Sequence, residues 1–519
     1  MEQQKLVLDG KSLKIKDLNW FTQNPEAKVE IGDAAKEVVL KCHAFLNSEL
    51  ETNNKIVYGI NTGFGPMASH IISKNDLIEL QENLVRSHAC GIGSPIPEKY
   101  VLSSMVVRLN TLVKGYSGVS WDLVELFKNI INHRILPIVP EHGAVGTSGD
   151  LTQLAHIALV LIGEGKVSYQ GKTRPTPEVF KEVGLTPIKL KPKEGLALIN
   201  GTSVMSGITA LICAETDQLL STSIRTGALA LELVHGFLDS ISEKLHELRP
   251  HEGQVFVAGK MREILASSKL MRDRKILREM IKEENDVYKI PSDVQEVYSL
   301  RCLPQILGPI WEALKQTEST VEIEINSVTD NPLVDWENSK FIHGGNFHGD
   351  YVASAVDGLK ASLVKLTILL ERQINFFLND KVNRSFPPFL NLKKPGLTLG
   401  LQGLQFVATS TTAQSQSLAF PHSIHSISTN SDNQDVVSMG TDAALFAAKV
   451  LENAYVVLTI ELVTLAQAVD CHEEKEKLSN ESSKLYDLVR SVSGAVNDDR
   501  PLTEELKELE TVIQKSSLV

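Results

Sequence analysis

The chain has 519 residues, 42% hydrophobic and 22% charged, a composition typical of a globular protein with a large core. Its net charge of −12 argues against nucleic acid and anionic membranes as partners, since both are bound through basic surfaces. The five cysteines lack the spacing of a metal site, so we expect no disulfide framework and a cytoplasmic location. The first 18 residues have no apolar centre. Of the two longest apolar stretches, 154–163 is too short to cross a membrane, and 455–469 is interrupted by Glu461. We therefore predict neither a signal peptide nor a membrane span.

Residues 1–35 contain short apolar segments broken by Asp and Gly, which predict small strands or turns. Helical patterns follow at residues 34–51, 75–90, 98–114, 151–163, 202–247, 305–325, 351–379, 404–419 and 438–470, and a hairpin is expected at 167–172. These long, proline-poor stretches predict a mainly α fold with a long central helical bundle and an irregular N-terminal part. No linker stands out, so we predict one unit over residues 1–519. Its parts would be an N-terminal part to about residue 200, a bundle over 201–470 and a charged helical tail over 471–519.

The most informative stretch is residues 142–150, HGAVGTSGD. Its glycines fit a tight turn before a helix. A phosphate cradle is disfavoured, because no Lys-Ser/Thr pair follows and no GxGxxG is present. A third interpretation is chemical: the Gly149 nitrogen attacks the Thr147 carbonyl, water is lost, and loss of the Ser148 hydroxyl leaves a ring with an exocyclic methylidene. That product is an electrophile, which no ordinary side chain provides.

Four further residues have a structural interpretation from their local sequence, and two of them have a functional one as well. Tyr58 on the Gly-rich loop 58–65 is a lid residue or a surface anchor. Asn200, at the entrance of a long helix, is a helix cap or a site residue. From the local sequence alone, Arg301 near a helix start is a surface cation, and Phe347 lies in a helix-to-helix turn at 344–350.

The run GAVGTSGDLTQLAHIALVLIG at residues 143–163 closely resembles the aromatic amino acid ammonia-lyases and aminomutases. This family includes histidine, phenylalanine and tyrosine ammonia-lyases. Its fold is that of the fumarase–aspartase superfamily. The resemblance extends from about residue 6 to about residue 470. Members form 4-methylideneimidazol-5-one (MIO) from Ala-Ser-Gly. Here Thr147 replaces Ala, which changes only a ring substituent and is also found in some aminomutases. The resemblance implies a homotetramer with each site built from three chains, a small aromatic amino acid as substrate, and no metal or nucleotide.

The resemblance also implies roles for individual residues. Tyr58, in YGINTGFG, would be the general base, and Arg301, in YSLRC, would hold the substrate carboxylate. The expected catalytic residues are Tyr58, Thr147, Ser148, Gly149, Tyr298 and Phe347. The expected substrate contacts are Gly65, Ser87, His88, Asn200, Gln295, Arg301, Gln414, His425, Asn433 and Gln434.

The substrate is less clearly indicated. Ser87-His88 is the pair usual in histidine ammonia-lyases, whereas Gln414 takes the place of a Glu suited to imidazole. Residues 423–430 also resemble bacterial tyrosine ammonia-lyases. We therefore predict elimination of ammonia from L-tyrosine to give trans-4-coumarate, with histidine ammonia-lyase and 2,3-aminomutase activity as alternatives.

Two further protein classes are disfavoured. A non-catalytic scaffold descended from such an enzyme would be expected to lose Tyr58, Ser148 or Arg301, and all three are present. A fumarase–aspartase-type lyase without MIO does not match residues 142–163.

Overall fold

The computed structural model describes residues 5–52, 55–284, 287–290 and 294–515. Helical residues make up 59% of the structure, which confirms the mainly α fold. The helices are α1 Ile15–Gln23, α2 Asp33–Thr52, α3 Leu77–His88, α4 Glu98–Val113, α5 Trp121–Asn132, α6 Leu151–Leu161, α7 Thr176–Val183, α8 Glu194–Ile199, α9 Ser203–Leu233, α10 Glu243–Glu247, α11 Glu252–Leu265, α12 Tyr298–Arg301, α13 Leu303–Glu324, α14 Asp350–Leu378, α15 Asp380–Asn383, α16 Gln402–Ser417, α17 Gly440–Asp470, α18 Asn480–Val492 and α19 Thr503–Lys515.

The strands are short and form five small sheets in the described chain. They are β1 Lys5–Leu8, β2 Lys28–Ile31, β3 Ile92–Pro95, β4 Leu136–Pro137, β5 Pro140–His142, β6 Lys166–Tyr169, β7 Lys172–Pro175, β8 Lys282–Glu284, β9 Val287–Lys289, β10 Leu333–Asp335 and β11 Lys340–Ile342. β1 and β2 are parallel, while β3–β5, β8–β9, β10–β11 and the three-stranded sheet β4–β6–β7 are antiparallel. The hairpin predicted near 167–172 is β6–β7.

The chain forms two compact units, each made of three segments. The first unit contains residues 1–214, 316–358 and 421–448. Its centre is α4, in which every residue from Tyr100 to Val113 is buried, so this helix is covered on all sides. The helices α3, α6 and α8 pack against one another, and α5 packs on α4. The irregular N-terminal part that the sequence predicted therefore has a helical core.

The second unit contains residues 215–315, 359–420 and 449–519. Side-chain hydrogen bonds join its helices: the Tyr455 hydroxyl on α17 donates to the Glu215 carbonyl on α9 at 2.7 Å. Gln405 Nε2 on α16 donates to Asn375 Oδ1 on α14 at 2.7 Å. The Glu232 carboxylate accepts from the Ser479 amide at 2.7 Å at the start of α18. Polar contacts therefore add to the apolar packing between the long helices of this unit.

Helix α17 is long and apolar enough to cross a membrane, with a mean hydropathy of 1.5 in its most apolar stretch. In the structure 72% of that stretch is buried within the protein. The apolar surface of α17 is therefore used as that of a core helix, as the sequence predicted.

Most predicted helices agree with the structure within two or three residues, but the one expected over 202–247 is shorter. Helix α9 ends at Leu233, and His235 follows with a φ of 49°. The amide of Gly236 donates back to the Leu231 carbonyl at 2.9 Å and closes the helix end. Residues 243–247 form the separate helix α10.

The unit boundaries also differ from the three parts expected from the sequence. Four of them fall inside the long helices α9, α13, α14 and α17 rather than near residues 200 and 470. The expectation of one cooperative unit over residues 1–519, with its three parts, stays a prediction.

Candidate active site

A cavity of about 1170 Å³ lies in the first unit. Six separate stretches of chain contribute to it, at residues 58–68, 84–88, 143–152, 196–200, 331–348 and 429–436. The predicted site residues among its walls are Tyr58, Gly65, His88, Thr147, Ser148, Gly149, Asn200, Phe347, Asn433 and Gln434. The fold therefore brings ten of the sixteen predicted residues to one cavity, although they are spread along the chain from residue 58 to residue 434.

The tripeptide 147–149 is fixed against Gly201. The Gly201 amide donates to the Ser148 carbonyl at 3.1 Å, and the Asp150 amide donates to the Gly201 carbonyl at 2.8 Å. Gly149 has a φ of +74°, and a Cβ there would overlap the Gly201 carbonyl. Only glycine fits at this position, because the backbone needs both a left-handed conformation and a close approach.

Asp150 joins the starts of three helices beside the tripeptide. It directly precedes α6, and its buried carboxylate accepts from the amides of Val204 at 2.7 Å and Met205 at 3.0 Å in the first turn of α9. It also accepts from the Thr441 hydroxyl at the start of α17. Burial raises the pKa of Asp150 and these hydrogen bonds lower it, and the result is a pKa of about 6. The carboxylate is therefore ionised at neutral pH. The positive ends of helix dipoles thus converge near the tripeptide.

Tyr58 is held in the loop that follows α2. The Gly65 amide donates to the Tyr58 hydroxyl oxygen at 3.1 Å, and the Phe64 ring meets the Tyr58 ring edge-on with centroids 6.5 Å apart. An amide donor at this oxygen stabilises negative charge there. Tyr58 and Gly65 both face the cavity, so the surface-anchor interpretation does not describe this tyrosine.

His88 is the last residue of α3, and its Nδ1 lies near the Ser87 hydroxyl, at 3.1 Å, as well as near a backbone carbonyl. Its Nδ1 lies 2.9 Å from the Leu84 carbonyl, which can only accept, so Nδ1 carries the proton. In the neutral imidazole Nε2 is then a hydrogen-bond acceptor. The Ser87 hydroxyl donates to the same carbonyl at 3.0 Å and does not line the cavity. Of the predicted pair, His88 therefore lines the cavity, whereas Ser87 is bound to its own helix.

Asn200 does not cap the start of α9, which was its structural interpretation. It ends α8, whereas the start of α9 is capped by Asp150, so the cap interpretation is wrong. Asn200 Nδ2 donates to the Asn331 carbonyl at 3.0 Å. Its Oδ1 is buried without a hydrogen-bond partner in the part of the chain that the structure describes. An unpaired buried acceptor in a cavity wall is suited to a ligand N–H.

Two loops complete the wall. Phe347 precedes α14 in the loop 343–349, and Gln434 Oε1 accepts from the Thr429 hydroxyl at 3.2 Å in the loop 429–436. His343, His348 and Asn331 also line the cavity and were not among the predicted residues. The signal for the two histidines was available, because they flank the Gly-rich segment that contains Phe347. Asn331 lies in a loop with no recognisable motif.

Six predicted site residues are not in the described lining of this cavity. They are Ser87 and His425 in the first unit and Gln295, Tyr298, Arg301 and Gln414 in the second. Arg301 Cζ lies 4.9 Å from the centre of the Tyr298 ring, and Arg301 Nε is buried without a partner among the described residues. Gln414 Oε1 accepts from Asn453 at 3.0 Å. The His425 ring lies 4.9 Å from that of His422. Their roles toward a substrate stay predictions.

Comparison with known proteins agrees with this geometry. The aromatic amino acid lyase family model matches residues 13–491. A histidine ammonia-lyase of Geobacillus sp. (strain WCH70) is 38% identical over 502 residues, 97% of this chain and 95% of that protein. A tyrosine 2,3-aminomutase of Myxococcus fulvus is 40% identical over 461 residues, 88% of each chain. The structure of phenylalanine aminomutase from Pantoea agglomerans superposes with a TM-score of 0.94 at 33% identity, covering 99% of this chain and 100% of that one. The chain therefore belongs to the aromatic amino acid lyase family.

Proposed function

We propose that the protein eliminates ammonia from L-tyrosine to give trans-4-coumarate, with MIO formed from Thr147, Ser148 and Gly149. The observation that carries this is the tripeptide turn itself. It forms a cavity wall, is fixed by Gly201, and has at position 149 a backbone that only glycine adopts. The family is MIO-dependent in general, and the chain is an enzyme of its carbon–nitrogen lyase class.

The protein's own groups suit the remaining tasks of such a reaction. MIO supplies an electrophilic carbon for the substrate amine. Tyr58 accepts the β-proton, and its oxygen is held by the Gly65 amide. The unpaired Asn200 Oδ1 accepts an N–H of the substrate amine. Phe347 provides an aromatic surface for the substrate ring.

His88 supports tyrosine over phenylalanine. Its acceptor Nε2 would be satisfied by a phenol O–H and left unpaired by a phenyl ring. An imidazole N–H would satisfy it as well, so histidine is the second candidate substrate. Gln434 lines the cavity as a neutral amide and offers no charge to an imidazolium.

The substrate carboxylate needs a cation, and we assign this task to Arg301 of a second copy in a homotetramer. The cavity walls contain no lysine or arginine among the described residues. Arg301 belongs to the second unit and has no carboxylate partner in the described chain, which leaves its guanidinium available for a bidentate pair. Tyr298, Gln295 and Gln414 would enter with the neighbouring copies. The cytoplasmic location expected from the sequence stays a prediction.

An aminomutase that moves the amine to the β-carbon is the competing activity. It is favoured by Thr147 and by the similarity to a tyrosine 2,3-aminomutase. Both activities use the same residues, and the rate of product release decides between them.

A turnover panel tests the proposal. The protein is incubated separately with L-tyrosine, L-histidine and L-phenylalanine, and products are identified by absorbance and chromatography. Coumarate is expected as the main product, whereas urocanate alone or a β-amino acid alone would contradict the tyrosine lyase assignment.

Mass spectrometry of the tripeptide tests the proposed cofactor. The mass of the peptide containing residues 147–149 is expected to be lower by two waters. Ser148→Ala should lose at most one water and lose turnover, because the hydroxyl that leaves in the second dehydration is absent. Thr152→Ser is the matched control, since this residue also lies in the cavity wall but outside the tripeptide. The control should lose both waters, and an unmodified wild-type tripeptide would exclude MIO.

A further inference from the structure

Arg108 is the largest fully buried side chain among the described residues and lies on α4, inside the first unit. Its Nη2 donates to the carbonyl of Ala197 and, at 2.7 Å, to the carbonyl of Asn200. Burial lowers its pKa to about 10, so the guanidinium is still charged at neutral pH. Nε and Nη1 have no hydrogen-bond partner among the described residues. A buried, incompletely paired cation is costly to fold. Among the described residues its hydrogen bonds go only to backbone carbonyls, while the nearby carboxylates of Asp330 and Asp150 partly oppose the lowering of its pKa by burial.

The Asn200 carbonyl belongs to the same peptide group as the Gly201 amide. That amide donates to the Ser148 carbonyl at 3.1 Å. Arg108 thus contacts one end of a peptide group whose other end contacts the residue predicted to be consumed. A cation at a carbonyl oxygen draws electron density from the peptide and makes its N–H a stronger donor. Gly201 has a φ of +147°, and a Cβ there would overlap Arg108 Nη1, so the glycine permits this approach.

The Ser148 carbonyl is the oxygen on which charge develops when the tripeptide dehydrates. In ring closure the Gly149 nitrogen bonds to the Thr147 carbonyl carbon. The Thr147 carbonyl oxygen then leaves as water, together with the amide hydrogens of Ser148 and Gly149. In the second step the Ser148 Cα–H bond breaks, and its electron pair forms the Cα–Cβ double bond while the Cβ–Oγ bond breaks. The proton and the hydroxide leave together as the second water. During this step negative charge spreads to the Ser148 carbonyl oxygen, where a strong fixed donor lowers the barrier.

We propose that Arg108 is a positioning residue for this dehydration: through the Asn200–Gly201 peptide it strengthens the hydrogen bond to the Ser148 carbonyl. The inference rests on the proposed function, because it concerns formation of the same group. This role would explain why the charged Arg108 is buried although it does not line the cavity. The neighbouring ion pair of Lys193 and Asp330, 2.5 Å apart and fully buried, does not contact this peptide in the described structure.

The test measures the rate of ring formation rather than turnover. The full chain is made by cell-free translation, samples are stopped at set times, and mass spectrometry measures the fraction of the peptide with residues 147–149 that has lost two waters. Arg108→Gln is expected to slow the loss at least about tenfold, a small share of what a directly contacting donor contributes. Arg108→Lys is expected to slow it severalfold, because an ammonium reaches fewer carbonyls in this geometry.

Arg134→Gln is the matched control. Arg134 also lies in the first unit, and its Nη2 donates to the carbonyls of Phe21 at 3.1 Å and Asn24 at 2.8 Å, away from the tripeptide. This variant should complete ring formation at the wild-type rate, and circular dichroism with thermal unfolding shows whether each variant is folded. Folded Arg108→Gln with the wild-type rate overturns the inference. Folded Arg108→Lys with the wild-type rate also overturns it, whether or not Arg108→Gln folds.

The same experiment separates this inference from the proposed function. A wild-type chain that keeps its full mass contradicts MIO formation and therefore both. A wild-type chain that loses two waters, with Arg108→Gln equally fast, contradicts only the role of Arg108. Complete ring formation without turnover of any aromatic amino acid contradicts only the proposed function.

Discussion

At the scale of single residues, the site is defined by groups whose hydrogen-bonding capacity is only partly used. His88 donates through Nδ1 and keeps Nε2 as an acceptor, and Asn200 uses Nδ2 while its Oδ1 is unpaired among the described residues. Buried polar atoms without partners are rare in folded proteins. Asn200 Oδ1 is such an atom among the described residues, and its place in the cavity wall suits it to a ligand N–H.

Gln434 and Gln414 are the two amides that bear on the choice between tyrosine and histidine. Gln434 lines the cavity, whereas Gln414 lies in the second unit and accepts from Asn453. We expect Gln434→Glu to shift the ratio of kcat/KM values from tyrosine toward histidine about tenfold, because a carboxylate attracts an imidazolium and is poorly paired by a phenol. Steady-state kinetics with both substrates checks this. Gln414→Glu is measured beside it, because Gln414 would enter the site from a neighbouring copy. A shift in Gln414→Glu alone would assign the discrimination to Gln414 and contradict the role of Gln434.

At the scale of elements, helix ends and helix interiors differ in how they carry charge. The carboxylate of Asp150 is stabilised by amides at the start of α9, so it is ionised in spite of its burial. Glu461, in the middle of α17, is also fully buried, but neither carboxyl oxygen has a hydrogen-bond partner among the described residues. The neighbouring Thr226 hydroxyl partly opposes the rise in the pKa of Glu461. In the structure this hydroxyl donates to the Ser223 carbonyl at 3.0 Å.

Burial raises the pKa of Glu461 to about 8 from the ordinary 4.5. The folded chain therefore keeps this proton where the unfolded chain has lost it, and the resulting stability is complete below pH 4.5 and lost as pH rises through 8. We expect Glu461→Gln to gain free energy of unfolding relative to the wild type by up to about 1.4 kcal/mol per pH unit across this window. Urea unfolding at about pH 5, 6.5 and 8 measures the difference. Glu508→Gln, at an exposed position, should show no such trend, and an equal difference at every pH would contradict the assignment.

At the scale of the whole molecule, Arg301, the residue expected to hold the substrate carboxylate, is not among the described residues that line the cavity. Its lining comes from the first unit, while Arg301 and Tyr298 are in the second. A homotetramer with shared sites would supply these residues from neighbouring copies. This is the arrangement that the sequence resemblance implied, and it has a direct test.

Mixed oligomers of two inactive variants test the shared site. Tyr58→Phe and Arg301→Gln are each expected to lose nearly all turnover, because one removes the base and the other the carboxylate ligand. Co-expressed in equal amounts, they should recover about a quarter of the wild-type activity, since some sites then combine intact residues from different copies. Mass spectrometry of the intact assembly confirms that mixed oligomers form. Mixed oligomers without recovered activity would show that both residues act within one chain.

The sequence by itself determined the fold class, most helix positions and the candidate cyclising tripeptide. Helices follow from apolar periodicity, and Gly149 marks the one backbone conformation that the turn needs, so both are local properties of the chain. The end of α9 was predicted poorly, although Gly236 at the bend is a recognised stop signal, because the helical pattern was continued past it to residue 247.

Only the tertiary structure decided which distant residues meet. Gly201 became part of the site through its contacts with Ser148 and Asp150, and Arg108 through the Asn200 carbonyl, although no motif connects α4 with the tripeptide. It also gave the capping of α9, which was the structural alternative for Asn200, to Asp150. The physical reason is that a hydrogen bond between backbone groups depends on how segments pack and leaves almost no trace in the identity of the residues that make it.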